Sequence, residues 1–259
     1  MSMMANHTDQ TQATRVRRLD DSQLASFDEE YVGDKEWKIV HTCIDRHFSN
    51  RPFSFLDVGG GNGLFADRLL ENYPKSRGTV LDNAEFLLSK NKRCGERKRV
   101  ICESAGSLEK LFAGEQFDVI FMNWVLHHLV ADSYSCTTET VKSVLQMSGR
   151  ILHEQGRILI FEHMYNGWLI DNLPSHIIYH LTCCRKLAGL MKLLGANTAG
   201  VGVCFRSKRA WLRIIQDAGM NVVYTDGSRW PQPIAYKLLL HMGNIRGGHF
   251  ELGKGRSSL

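Results

Sequence analysis

Residues 53–63 read FSFLDVGGGNG, and a helical pattern, LFADRLL, follows at once from Leu64. Phe53, Phe55, Leu56 and Val58 form a short apolar run of the kind that a parallel strand buried on both faces requires. The run enters Gly59-Gly60-Gly61-Asn62-Gly63 before the helix begins. A turn that sharp uses positive φ and lets a ligand approach the main chain, and both demands favour residues without a Cβ. The first N–H groups of the helix have no partner within it and suit a polar or anionic ligand. Asp82 stands about 20 residues beyond the glycines, the distance at which a second strand offers a carboxylate to a ribose.

Dinucleotide sites space their glycines as G-x-G-x-x-G, with a pyrophosphate on the helix end. Here Gly59, Gly61 and Gly63 alternate, and Asp57 lies inside the strand end, giving D-x-G-x-G-x-G. That form resembles motif I of the class I S-adenosylmethionine (SAM) methyltransferases. The longer set LDVGGGNG, LLENYP and GTVLD is similar to the small-molecule O-methyltransferases of that superfamily, and the resemblance covers residues 53–165. It implies an α/β fold: a doubly wound, seven-stranded, mostly parallel Rossmann-like sheet of order 3-2-1-4-5-7-6, the last strand antiparallel. It also implies SAM as cofactor and methyl transfer to oxygen or nitrogen of a small-molecule acceptor, as in secondary metabolism. Two alternatives stay open: a non-catalytic SAM- or nucleotide-binding protein on the same fold, and a methyltransferase for RNA or protein.

The chain has 259 residues, 43% of them hydrophobic, within reach of one α/β domain with a good core. Its net charge of +5 is dispersed, and the basic spots at 15–18 and 97–99 read as solvated surface, so no nucleic-acid partner is expected. Seven cysteines without a C-x-x-C pair point to a reducing compartment and no structural metal. The first residues lack an apolar signal core and no run is long enough to span a bilayer, so the expected location is cytoplasmic with no membrane contact.

Residues 1–22 are polar and read as a flexible segment, 23–250 as the methyltransferase domain, and 251–259 as a flexible tail. An amphipathic helix over Asp34–Phe48 precedes the first strand. Strands are expected at Arg77–Asp82, 99–103, 117–122 and 157–161, with helices at 84–91 and 138–152 between them and a turn at 153–156. Residues 164–206 interrupt the alternation. Leu, Tyr and His are interleaved there, as in a lid over an apolar acceptor or, equally, in an ordinary buried face. A helix at 207–219 follows, and 221–225 with 235–241 would close the sheet as a hairpin.

The resemblance and the strand ends together assign the cofactor to Asp57, Gly59, Gly61, Gly63, Asp82, Asn83, Ser104, Ala105 and Asn123. Ser104 stands where the family often has an acid for the adenine amino group. Asp82 could instead cap the helix after it. Trp124-Val125 occupy the proline positions of the D/N-P-P-Y signature, which argues against a base amino group as acceptor. Acceptor contacts are expected from Tyr31, Trp124, Glu162, Tyr165, His176 and Tyr179. His163, at the end of the fifth strand, is the first candidate for a general base, His128 the second, and His127 reads as a packing residue.

Overall fold

Strands and helices alternate as the apolar runs dictate, and the computed structural model describes residues 16–29, 32–49, 51–230 and 234–255. Tyr31 lies outside them. In chain order the elements are α1 (Asp21–Leu24), α2 (Asp34–Phe48), β1 (Ser54–Val58), α3 (Leu64–Asn72), β2 (Arg77–Asp82), α4 (Glu85–Leu88) and β3 (Lys98–Cys102). There follow α5 (Leu108–Leu111), β4 (Phe117–Asn123), α6 (Tyr134–Ile151), β5 (Leu152–Gly167), α7 (Leu173–Cys183) and α8 (Ala188–Leu193). The last are α9 (Lys208–Asp217), β6 (Met220–Trp230), α10 (Ile234–Leu239) and β7 (Met242–Lys254). The seven strands form one sheet of order β3-β2-β1-β4-β5-β7-β6, and β7 runs antiparallel to both neighbours, the topology the resemblance implies.

Each face of the sheet is buried under amphipathic helices. In α2, Val40, Cys43, Ile44 and Phe48 fall on one stripe and pack with Phe55, Phe65 and Phe121 from β1, α3 and β4. On the other face, Val141, Val144 and Leu145 of α6 and Trp211 and Ile215 of α9 cover Leu56, Ile120 and Ile158. Ser133 and Ser207 begin these two helices by accepting N–H bonds from Cys136 and Ala210, the service an N-cap hydroxyl provides.

Four expectations need correction. Residues 235–241 were to form a strand, but Ile234–Leu239 is α10; Ala, Lys and Leu are strong helix formers and the run has no alternation to hold it in a sheet. The closing strand is β7, which runs through Lys254 with Glu251 and Leu252 buried, so 251–254 are sheet and not a flexible tail. Its four glycines hide it from propensity; a Cβ on Gly248 would come within 2.2 Å of Met164 Cε, so the neighbouring strand requires glycine there. The turn expected at 153–156 lies within β5, and the helix expected over 84–91 shortens to the single turn of α4.

β5 positions the chemistry. Its pairing with β4 ends at Asn123–Phe161, and residues 162–167 continue beyond, paired with β7 on one side and bridged to Arg206 at Met164 on the other. Glu162 and His163 therefore stand just past the carboxyl edge of the parallel strands, where such sheets bind ligands.

Candidate active site

A cavity of about 610 Å³ opens at the carboxyl ends of β1, β2, β3 and β4. One side is the glycine turn. Gly59 has φ +74°, and a Cβ there would lie 2.3 Å from Val125 Cγ2. Gly61 has φ +48°, but a Cβ would meet no protein atom nearer than 3.5 Å, so its bareness leaves space in the cavity itself. The Gly61 N–H donates to Asp82 Oδ2 at 3.0 Å, and the Ala84 N–H donates to Oδ1 at 2.8 Å. Asp82 thus fixes the turn and the main chain at the start of the next helix, the second role the sequence allowed, and it also lines the cavity.

Two buried acceptors beneath the turn lack partners: Asp57 Oδ2 and Asn123 Oδ1. The other oxygen of Asp57 accepts from Asn123 Nδ2 at 3.5 Å. Burial, then the charge of Asp82, raises the Asp57 carboxyl to about 7, while Lys98 pulls the opposite way. A buried acceptor pair left open in this way suits a cationic donor such as an amino-acid ammonium group. The residues present therefore fit a cofactor with a ribose and a charged amino-acid end.

Ser104 and Ala105 line the cavity with Glu103. The Ser104 hydroxyl accepts from the Gly106 N–H at 3.2 Å, while the Glu103 side chain accepts from the Ser104 N–H at 2.8 Å. An acid is thus available one residue before the position where the sequence suggested a hydroxyl. Gly63 starts α3 outside the cavity wall at φ +75°, and Asn83 lies in the wall.

The far wall is aromatic and histidine-rich: Trp124, His127, His128, His163, Trp230 and Phe27. Trp124 holds φ +55°, rare for a bulky residue and a mark of a constrained functional position. Its ring lies 4.7 Å from that of His163. Glu162 is fully buried; Oε2 lies 2.7 Å from His127 Nδ1, and the N–H groups of His127 and His163 donate to Oε1 and Oε2 at 3.2 Å. Burial pushes the Glu162 carboxyl up to about 7 and the His163 imidazole down to about 4, and holds His128 well below its usual value. His127 is driven in the same direction, by burial first and by the charge of Arg206 second. Burial thus favours the neutral form of all three imidazoles and the protonated form of the carboxyl beside them.

Not every expected acceptor contact reaches the cavity. Tyr165 stacks on Phe205 at 4.5 Å, His176 stacks on Tyr134 at 3.8 Å, and the Tyr179 hydroxyl donates to the Ala131 carbonyl at 3.0 Å. These contacts are packing, and none of residues 164–206 lines the cavity. Glu162 lies behind the wall, bonded to His127 and not open to a ligand. The N-terminal segment, by contrast, does cover the mouth with Val16–Leu19, Leu24, Phe27 and Glu29. Asp28 ties it down by accepting from Asn62 Nδ2 at 3.1 Å and pairing with Lys90. Lys98, expected on a solvated basic face, is buried 2.7 Å from Asp67 behind the glycine turn.

Away from the cavity, Cys43, His47 and Glu251 bring potential metal-ligating atoms within 4.8 Å. Arg157 and Arg46 face Glu251 at 3.4 and 3.6 Å, and burial pushes the Cys43 thiol up to about 12. Fixed guanidinium charges already fill the place of a cation, and the thiol stays protonated.

Residues 56–160 match the family described as "Methyltransferase domain". The malonyl-acyl-carrier-protein O-methyltransferase of Legionella pneumophila is 26% identical over 127 residues, 49% of this chain and 44% of that protein. The strychnine O-methyltransferase of Strychnos nux-vomica is 25% identical over 172 residues, 65% of this chain and 40% of that protein. This chain therefore spans less than half the length of either relative. A solved structure of LepI in complex with SAM is alike at a TM-score of 0.58, with 13% identity, over 90% of this chain and 51% of that one. That likeness is one of fold.

Proposed function

With residues 56–160 forming a methyltransferase domain of the class I type, we propose that this chain transfers the methyl group of SAM to a hydroxyl or amino group on a flat, apolar small molecule. The observation that carries the reading is one cavity lined on one side by Asn123, with the buried Asp57 carboxyl beneath the glycine turn behind it, and on the other by His127, which Glu162 holds from behind the wall. When bound, SAM supplies an electrophilic methyl carbon on a sulfonium whose leaving group is a neutral thioether.

Asp57 and Asn123 would hold the amino-acid end, Asp82 the ribose, and Glu103 with Ser104 the adenine edge. Gly59 and Gly61 keep the main chain close to that ligand. Trp124, Trp230, Phe27 and Leu129 favour a planar apolar acceptor, and their apolar side chains exclude water from it. Alignment of acceptor and methyl carbon supplies much of the rate. A hydroxyl acceptor must also lose its proton. His127, bonded at Nδ1 to the Glu162 carboxylate, has Nε2 to take that proton while the Nδ1 proton moves to Oε2, so the imidazole stays neutral and the proton ends on the carboxylate whose pKa is about 7. Glu162 reaches the ring of His127 but only the main chain of His163, which favours His127 as the proton acceptor and makes His163 a wall that orients the acceptor.

Incubation with methyl-labelled SAM and a panel of phenols, aromatic amines and aromatic carboxylates tests the assignment. The expected result is label in a phenol or amine product, lost on His127→Ala with cofactor affinity unchanged. Cofactor binding with no turnover on any acceptor would instead identify a binding protein on this fold.

A further inference from the structure

The β6–β7 hairpin and the loop after β5 present an apolar surface that stands exposed among the described residues. Trp168, Leu169 and Ile170 stand out from that loop, and Ile234, Leu238 and Leu239 from α10; Leu169 is 76% exposed and Ile234 79%. The two elements form one patch, because Lys237 Nζ sits 4.5 Å above the Trp168 ring. The loop is also held out rigidly. The N–H groups of Leu169 and Ile170 both donate to His241 Nε2, at 2.9 and 3.0 Å, and the Trp168 N–H donates to the His241 carbonyl at 2.9 Å. Single exposed apolar residues are ordinary, but six protruding from two tethered elements are a contiguous patch of the kind that marks an interaction surface.

The charge around the patch is of one sign. Residues 227–246 carry Arg229, Lys237 and Arg246 and no acid. Lys208, whose N–H donates to Asn166 Oδ1 at 2.9 Å, adds a cation beside the end of β5, and the one acid of residues 164–209, Asp171, accepts a bond from Ser207. Arg229 and Arg246 stand directly opposite each other in the β6–β7 register, a like-charge pairing that costs stability unless an anion relieves it. Among the described residues, none of Lys208, Arg229, Lys237 and Arg246 is in an ion pair.

We propose that this face docks on an anionic phospholipid surface, with Trp168, Leu169, Ile170 and the apolar side chains of α10 in the headgroup boundary and the surrounding cations on lipid phosphates. The expectation of no membrane contact rested on the lack of a spanning run, and lying on an interface needs none. A second copy of the chain fits poorly, because a two-fold interface would set Lys237, Arg229 and Arg246 against a surface of the same sign. Side chains that stand clear of the surface, and do not line a groove, suit a deformable medium. Trp230, which lines the cavity, is next to Arg229 on the same hairpin, so docking would bring the cavity mouth near the lipid surface.

The test is co-sedimentation of the full chain with vesicles of phosphatidylcholine alone and of phosphatidylcholine with phosphatidylglycerol added. Binding is expected only to the anionic vesicles and should weaken with added salt. Leu169→Ser and Leu239→Ser should each weaken it about tenfold, and Lys237→Gln about fivefold, without a change in melting temperature or cofactor affinity. Should one of these variants misfold, the others still decide the question. No binding to either vesicle, equal binding to both, or unchanged binding by all three variants overturns the proposal. So does a concentration-dependent dimer that Leu169→Ser abolishes, which would identify the patch as a self-association surface. Because the readout is binding, it stands or falls independently of methyl transfer.

Discussion

Cofactor affinity should rise with pH through neutrality, and Asp57 is the reason. Its carboxyl is fully buried, one oxygen has no partner, and its pKa stands at about 7. An ammonium group brought to that oxygen favours the ionised form, so binding must expel the proton that the free protein holds. At pH 8 the site is about nine-tenths ionised and at pH 6 about one-tenth, so S-adenosylhomocysteine should bind roughly tenfold more weakly at pH 6 than at pH 8. Calorimetry in two buffers of different ionisation enthalpy should detect about half a proton released per cofactor bound at pH 7. Asp57→Asn should hold affinity near the acid-side value of the wild type at every pH and release fewer protons. The variant separates Asp57 from Asp82, whose carboxyl burial also raises. A wild-type affinity constant within about twofold from pH 6 to 8, with no proton release, would refute the assignment of Asp57 to the amino end.

Four further outcomes follow from the geometry. Glu162→Gln should remove the rise of kcat through about pH 7 and lower kcat roughly 100-fold for a hydroxyl acceptor, with cofactor affinity unchanged; a pH–rate profile checks both. Asp57 and Glu162 hold protons when folded that the unfolded chain releases near the ordinary 3.8 and 4.5, so each subtracts stability as pH rises from about 4 to 7, whereas the depressed His127, His128 and His163 add it over the same range. The Asp57 share is on the order of 3 kcal/mol, and urea titrations should find Asp57→Asn gaining stability relative to wild type as pH rises through that window. Lys98→Met leaves the buried Asp67 carboxylate without its cation and should cost about 3–5 kcal/mol by the same titration. Gly59→Ala sets a Cβ 2.3 Å from Val125 at φ +74° and should destabilise the apo protein, whereas Gly61→Ala, with open space around its Cβ, should chiefly weaken cofactor binding.

The parts of the fold carried by local pattern were legible. The β1 run, the glycine turn and the α2 stripe each state their structure within about fifteen residues, as local signals should, and Asp57, Gly59, Gly61, Asp82 and Asn123 follow from where strands end. Harder to read were the facts that depend on register between distant segments. His127 and Glu162 meet because the end of β5 runs on past β4, and no spacing in the sequence encodes a pair 35 residues apart. The same holds for Lys98, whose burial depends on Asp67 across the glycine turn. The run at 235–241 is apolar without period, so it fits strand or helix equally until β7 claims the place beside β5. Of the aromatics at 165, 176 and 179 only Tyr179 is buried, and the pattern did not tell the direction in which they point.

The place of β7 in the sheet has a consequence for synthesis. The last strand of the chain is an interior one, inserted between β5 and β6. On the ribosome, β1 to β4 can pair soon after they emerge, and the glycine turn can take shape with them. From Ile158 to Gly167, however, β5 keeps a bare edge until Met242–Lys254 has been translated. An unpaired apolar strand is a template for illegitimate pairing between nascent chains, so this interval is when the polypeptide most needs a chaperone. A premature stop before Met242 would remove the strand that joins β6 to the sheet and that pairs with β5 at Glu162 and His163.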